Sequence, residues 1–423
     1  MAITVKPDRP YHCVWEITLK CNMRCKHCGS YAGKDRQGEM SLEQMLDVAD
    51  QLAELGVQRL TLSGGEPLLR ENWDQIAQRL IERGVRVGMI SNGYFMMDNI
   101  EKFARLKSIQ GPGKLEIVAM STDGMRESHD NFRRVPGSWD RIKAGFKALN
   151  ELGIYTAAIT SVSNDNIKEL DDMLKTFVSW RVNAWQLQTL FSGGRMREFP
   201  ELMPGPEGVE KVSRFIAQTR LDRYPIYVFA ADCLGYNTEL DPFMRNYAWQ
   251  GCQAGLTSVG IEANGNVKGC LSLCAELQGD NPFVEGNLHS ESLHDIWNKP
   301  GAFAYTREFT PSQAGGFCAS CKHLRVCRGG CSAQAYFATG QVSNNPFCML
   351  AERNRKAQEL RAKAAELREN SADDPQAAAL EKEARQVLRP ERPYPTRVVR
   401  AKLDKRYGFR DTGVGVGGVF GKK

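Results

Sequence analysis

The chain has 423 residues, 42 % of them hydrophobic, enough for one large domain or two to three ordinary ones. No stretch approaches the roughly 20 apolar residues of a membrane span, and residues 1–10 are charged and Pro-containing without a signal-peptide core, so a cytoplasmic location is expected. The net charge of +6 excludes little by itself: residues 351–423 hold 18 Lys and Arg against 11 Asp and Glu, which leaves the first 350 residues about neutral. That basic tail lacks the interleaved aromatics of an RNA-binding face, so no nucleic-acid partner is expected.

In chain order, residues 12–190 alternate strand and helix signals six times, with strands expected over 14–18, 57–62, 86–91, 115–121, 154–161 and 184–190. Between the first two, Ser41 and Gln44 form a capping box, and Leu42, Met45, Leu46, Ala49, Leu52 and Ala53 follow at helical spacing before Gly56. Further helices are expected after Asn72, Asp98, Ser138 and Asn164. The pattern predicts an α/β fold, an open partial (β/α)6 barrel over residues 1–195. Its functional loops should lie beyond the C-terminal strand ends. A Pro- and Gly-containing connector (196–251), a small Cys-rich domain (252–350) and a basic tail (351–423) complete the organisation. In the tail, Leu360, Ala364 and Leu367 offer a narrow helical packing face, and residues 413–423 read as a flexible terminus.

Thirteen Cys in a reducing compartment point to metal binding rather than disulfides. Cys21, Cys25 and Cys28, spaced C-x3-C-x2-C in a polar turn after the first strand, supply three thiolates where an iron–sulfur cluster normally takes four. One iron is then left open, as a catalytic metal requires. Three later strands end in Gly64-Gly65-Glu66-Pro67, Ser91-Asn92-Gly93 and Ser121-Thr122-Asp123-Gly124. Together these motifs resemble the radical S-adenosylmethionine (radical SAM) superfamily, with His27 in the position before the third Cys. The resemblance implies a four-iron four-sulfur cluster on Cys21, Cys25 and Cys28, with SAM chelating the free iron. It implies SAM-binding roles for Gly64, Gly65, Glu66 and Pro67, the Glu66 carboxylate facing the SAM ammonium, and for Asn92, Ser121 and Gln188 at strand ends.

A second array runs Cys252-x12-Gly265-x4-Cys270, Cys318-x2-Cys321-x5-Cys327-x3-Cys331 and Cys348. It resembles the SPASM motif, which implies two auxiliary four-iron clusters, one on Cys252, Cys270 and Cys331 and one on Cys318, Cys321, Cys327 and Cys348. A zinc-ribbon reading of the C-x2-C pair is the alternative, but seven cysteines do not divide into closed four-ligand sites. Some relatives supply a fourth ligand to the first auxiliary cluster where this chain has Ser258. Cys274 is the expected replacement and Cys233 the reserve; without either, one iron stays open. Leu271 stands where sulfatase-maturing relatives have a proton-accepting Asp. Cys13 reads as structural.

The resemblance implies reductive cleavage of SAM to methionine and a 5′-deoxyadenosyl radical that abstracts hydrogen from substrate, fed by an external donor of flavodoxin or ferredoxin type. A peptide or protein is the expected substrate, with leader recognition by a separate protein and no membrane partner. Tetrapyrrole or other small-molecule modification is the alternative within enzymes, and a non-catalytic electron carrier the alternative outside them.

Overall fold

The computed structural model describes residues 3–4, 8–247, 249–273 and 281–388. Six strands lie side by side in chain order, each parallel to the next: β1 (His12–Glu16), β2 (Arg59–Ser63), β3 (Arg86–Ser91), β4 (Lys114–Ser121), β5 (Thr156–Val162) and β6 (Ala184–Thr189). Each begins within two residues of its expected start. Every residue of β5 is buried, as a parallel strand covered on both faces requires. The predicted capping box forms: Ser41 Oγ accepts from Gln44 N at 3.2 Å, and the Gln44 side chain accepts from Ser41 N at 2.9 Å. The helix it starts, Leu42–Glu54, buries Met45, Val48, Ala49 and Leu52 against the sheet.

Three features differ from the sequence reading. The helix expected after Asn164 starts only at Leu170, because Asn166 turns inward, donating to the carbonyls of Asp123 and Ser161 at 3.0 Å each. A helix at Arg126–Arg133 has almost no apolar stripe, yet it buries His129, Phe132 and Arg133. The segment read as a connector contains the helix Pro206–Leu221 and a seventh parallel strand, β7 (Tyr227–Ala230), beside β6.

The Cys-rich segment extends the opposite edge of the same sheet. There β8 (Ser258–Ile261) runs parallel to β1, followed by the antiparallel β9 (Asn266–Lys268) and β10 (Gly286–Asn287). A buried charge network ties this edge to the loop after Cys28. Lys268, fully buried, meets Glu262 Oε1 at 2.6 Å, and Arg36 reaches Glu262 at 3.3 Å and Glu16 at 2.5 Å. The first half of the tail folds into a helical hairpin, Met349–Asn370 and Pro375–Leu388, whose seam buries Ala357, Ala364, Ala377 and Ala384. Leu360 and Leu367 are half-buried at its margin. Residues 413–423 lie outside the described residues. Among the described residues no helix is long and apolar enough to cross a membrane.

Candidate functional site

At the C-terminal ends of β1 to β6 the sheet opens into a cavity of about 350 Å³. Its wall holds Cys21, Cys25 and Cys28, the Gly64-Gly65 turn, Asn92, Ser121 and Gln188, so residues expected to act together do share one space. Leu190, Phe191 and Ile159 add an apolar side, and Leu271 with Ser272 reach in from the Cys-rich segment. That places the departure at Leu271 on the cavity itself.

The cysteine loop is held from several directions. Gly65 N donates to Thr18 O and Glu66 N to Lys20 O, both at 2.8 Å. A Cβ on Gly65 would fall 2.3 Å from Leu19 O, and one on Gly64, at φ +153°, 2.3 Å from Thr18 O. Both glycines are therefore required by the backbone that leads into the cysteines. Arg195, unassigned by sequence reasoning, clamps the same loop: its Nε donates to Cys25 O at 3.0 Å and its guanidinium to Ala32 O at 3.3 Å.

Cys21 Sγ accepts from Met23 N and Cys28 Sγ from Ala32 N, each at 3.4 Å. Burial, backed by Glu66 and the other two thiols, pushes Cys21 up to about 12. Thiols as buried as Cys21 and Cys25 need a cation beside them to become thiolates, and a metal cluster supplies it. The cavity also holds a buried polar atom with no partner among the described residues, Nδ1 of His27. Thiol chemistry, backbone N–H groups at sulfur and this open nitrogen all fit a cluster with its organic ligand.

Glu66 departs from expectation. Its side chain is fully buried, off the cavity wall, and accepts from Leu68 N at 3.1 Å, Ser91 Oγ at 2.8 Å and Asn92 N at 2.6 Å. With these three donors taken, the carboxylate braces the Ser91-Asn92-Gly93 turn rather than facing the cavity. Pro67 opens the buried turn Pro67–Leu69 beside it. Burial lifts Glu66 from the usual 4.5 to about 7, against those hydrogen bonds. Between about 4.5 and 7 the folded protein then binds more protons than the unfolded one, so this group's contribution to stability falls as pH rises. Replacing Glu66 by Ala strands three donors at about 1–3 kcal/mol for each unsatisfied group. The Glu66→Ala protein should therefore lose thermal stability together with SAM affinity, and the stability slope between pH 4.5 and 7 should flatten. Weaker SAM binding in a protein of unchanged stability would contradict the bracing role.

Beneath the cysteines lies a charged core that sequence reasoning missed. Arg133 donates from Nε to Asp123 Oδ2 at 2.7 Å, places Nη2 2.6 Å from the same oxygen, and reaches Cys25 Sγ at 3.6 Å through Nη1. Asp123 also accepts from Ser161 N at 2.7 Å, and its own N–H donates to His129 Nδ1 at 3.0 Å. Burial works to raise Asp123, but Arg133 and the neighbouring imidazoles hold it below the usual carboxylate range. His27 stacks on Phe132 at 4.5 Å, and burial lowers it to about 4, leaving a neutral imidazole.

The second array separates into two groups. Cys318, Cys321, Cys327 and Cys348 line one small cavity of about 20 Å³ with Tyr236, His323 and Asn345. Cys270 and Cys331 pack around Leu273, Phe283 and Ala333, and Cys252 lies within electrostatic range of both thiols. Among the described residues no three His, Cys, Asp or Glu side chains converge closely enough for a single metal ion. Cys274 lies outside the described residues. Cys13, fully buried in the main core, is structural as expected.

Family models match the Radical SAM superfamily over residues 15–177 and the SPASM iron–sulfur cluster-binding domain over 252–322. The chain is 28 % identical to an AdoMet-dependent heme synthase of Methanosarcina barkeri, over 81 % of this chain and 97 % of that protein. It is 26 % identical to the mycofactocin maturase MftC of Mycolicibacterium smegmatis, over 80 % and 82 % respectively. Among solved structures, Streptococcus suis SuiB bound to precursor peptide SuiA shares the fold at TM-score 0.62 and 15 % identity, over 80 % of this chain and 75 % of that one.

Proposed function

The chain belongs to the radical SAM superfamily and carries a SPASM domain, and we propose that it is an enzyme that modifies a peptide or protein substrate by hydrogen abstraction. The observation that carries the catalytic reading is the shared cavity, where Cys21, Cys25 and Cys28 face Gly64-Gly65, Asn92, Ser121 and Gln188. The three thiolates would hold the cluster, and the strand-end residues would hold SAM. A cluster held there and reduced by an external donor of flavodoxin or ferredoxin type would supply the electron that splits bound SAM into methionine and a 5′-deoxyadenosyl radical able to attack an unactivated C–H bond. The chain's own part is to position and to exclude water. Leu190, Phe191, Ile159 and Leu271 give the cavity its dry side, and Arg195 fixes the loop that presents the thiols.

The peptide reading is supported by the likeness to a PqqA peptide cyclase of Rhizobium meliloti, 27 % identical over 79 % of this chain. The second reading, a tetrapyrrole substrate, is favoured by the near-complete coverage of the archaeal heme synthase.

Reduced, cluster-loaded protein incubated with SAM should yield 5′-deoxyadenosine, which an electron carrier would not. Iron should approach about twelve per chain if all three clusters are four-iron centres. Comparing precursor peptides with a carboxylated tetrapyrrole for stimulation of that product separates the two substrate classes. Stimulation by the tetrapyrrole alone would overturn the peptide reading.

A further inference from the structure

Three motif cysteines, Cys252, Cys270 and Cys331, leave an auxiliary cluster one protein ligand short. Ser258, where a fourth ligand could have stood, is committed elsewhere: its hydroxyl donates to Gln253 O at 3.1 Å from within β8. Cys233, just past the end of β7, is placed differently. Its Sγ accepts from Thr189 N at 3.3 Å, the same kind of backbone bond that Cys21 and Cys28 receive at 3.4 Å.

The residues around Cys233 are stitched to Cys331 on two sides. Thr189 Oγ1 lies 3.4 Å from Cys233 O and accepts from Gln334 Nε2 at 2.9 Å. Gln334 sits in the first turn of the helix that Cys331 starts, Ser332–Thr339. Three residues after Cys233, the Tyr236 hydroxyl accepts from Cys331 N at 3.2 Å. Cys331 in turn packs with Cys270 around Leu273, Phe283 and Ala333, so the barrel edge that carries Cys233 lies against the segment that carries the motif cysteines.

Resting on the cluster reading above, we propose that Cys233 is the fourth protein ligand of the auxiliary cluster held by Cys252, Cys270 and Cys331. A cluster closed in this way has no open iron for substrate. The barrel and the Cys-rich segment become joined through one metal group.

The test uses the full chain carrying Cys21, Cys25 and Cys28→Ala, reconstituted with iron and sulfide without oxygen, so that only auxiliary clusters contribute. Adding Cys233→Ala should alter the paramagnetic resonance spectrum of one of the two clusters and let it lose iron to a three-iron form on mild oxidation. Adding Cys274→Ala should leave spectrum and iron content as in the parent. Cys233→Ser keeps the side-chain volume and guards against a misfolded alanine variant; its oxygen ligand should shift the same signal. An unchanged spectrum in the Cys233 variants, or the same conversion caused by Cys274→Ala, overturns the assignment. A parent that binds no auxiliary iron would instead bring down the cluster reading itself, before any Cys233 variant is made.

Discussion

Replacing Cys21, Cys25 and Cys28 together by Ala is expected to abolish 5′-deoxyadenosine formation while auxiliary iron stays bound. The three thiols share one cavity wall, and neither group of C-terminal cysteines lines that cavity. The loop should survive the change, because backbone bonds and Arg195 hold it: Cys21 N donates to Gly33 O at 3.2 Å, and Arg195 N donates to Cys28 O at 3.0 Å. Cys21 and Cys28 are only half-buried, so their loss opens no large cavity. The iron lost should be that of a single cluster, with a melting temperature close to that of the parent. Continued product formation in the triple variant would exclude this site as the place where SAM is cleaved.

What the sequence disclosed follows from how local each signal is. The cysteine spacings, the capping box at Ser41 and the strand-end motifs are written within a few residues: the capping box forms, and Cys21, Cys25 and Cys28 share one cavity with Gly64, Gly65, Asn92 and Ser121. Contacts between distant residues left no such trace. Arg133 lies 10 residues from Asp123 but 108 from Cys25, and Arg195 lies 170 from Cys25. Glu66 illustrates a second limit. The motif marks the turn correctly, but only the three donors gathered around the carboxylate reveal that it faces inward. In the segment read as a connector, Val209, Val212, Ile216 and Ala217 do have helical spacing. The flanking Pro204, Gly205 and Pro206 obscured it, and the four-residue β7 that follows is too short to stand out.

The largest effect on stability is expected at Arg133, where a single substitution removes the partner of a fully buried charge. Arg133→Met should destabilise the fold by about 3–5 kcal/mol, the usual cost of breaking a buried pair on one side. Asp123 has no exposed side-chain surface, and the other titratable groups beside it, the His27 ring at 3.8 Å and the His129 ring, are kept neutral by burial. In the parent, burial favours the neutral acid but Arg133 prevails and keeps Asp123 below its ordinary 3.8, so the stabilisation is full at neutral pH and fades only in strong acid. In the variant the order reverses. Asp123 must either remain charged without a partner or take up a proton, so the deficit should be greatest at neutral pH and shrink as pH falls. Adding Asp123→Asn should recover much of the loss, since removing both charges is far cheaper than stranding one. The same guanidinium donates to Cys25 Sγ at 3.6 Å, and hydrogen bonds to the sulfurs help set a cluster's potential. The double variant, stable but without that donor, should therefore hold its N-terminal cluster at a more negative midpoint potential. Denaturant midpoints across pH and a redox titration read the two effects separately. A single Arg133→Met variant as stable as the parent at neutral pH would show that Asp123 draws its support from elsewhere.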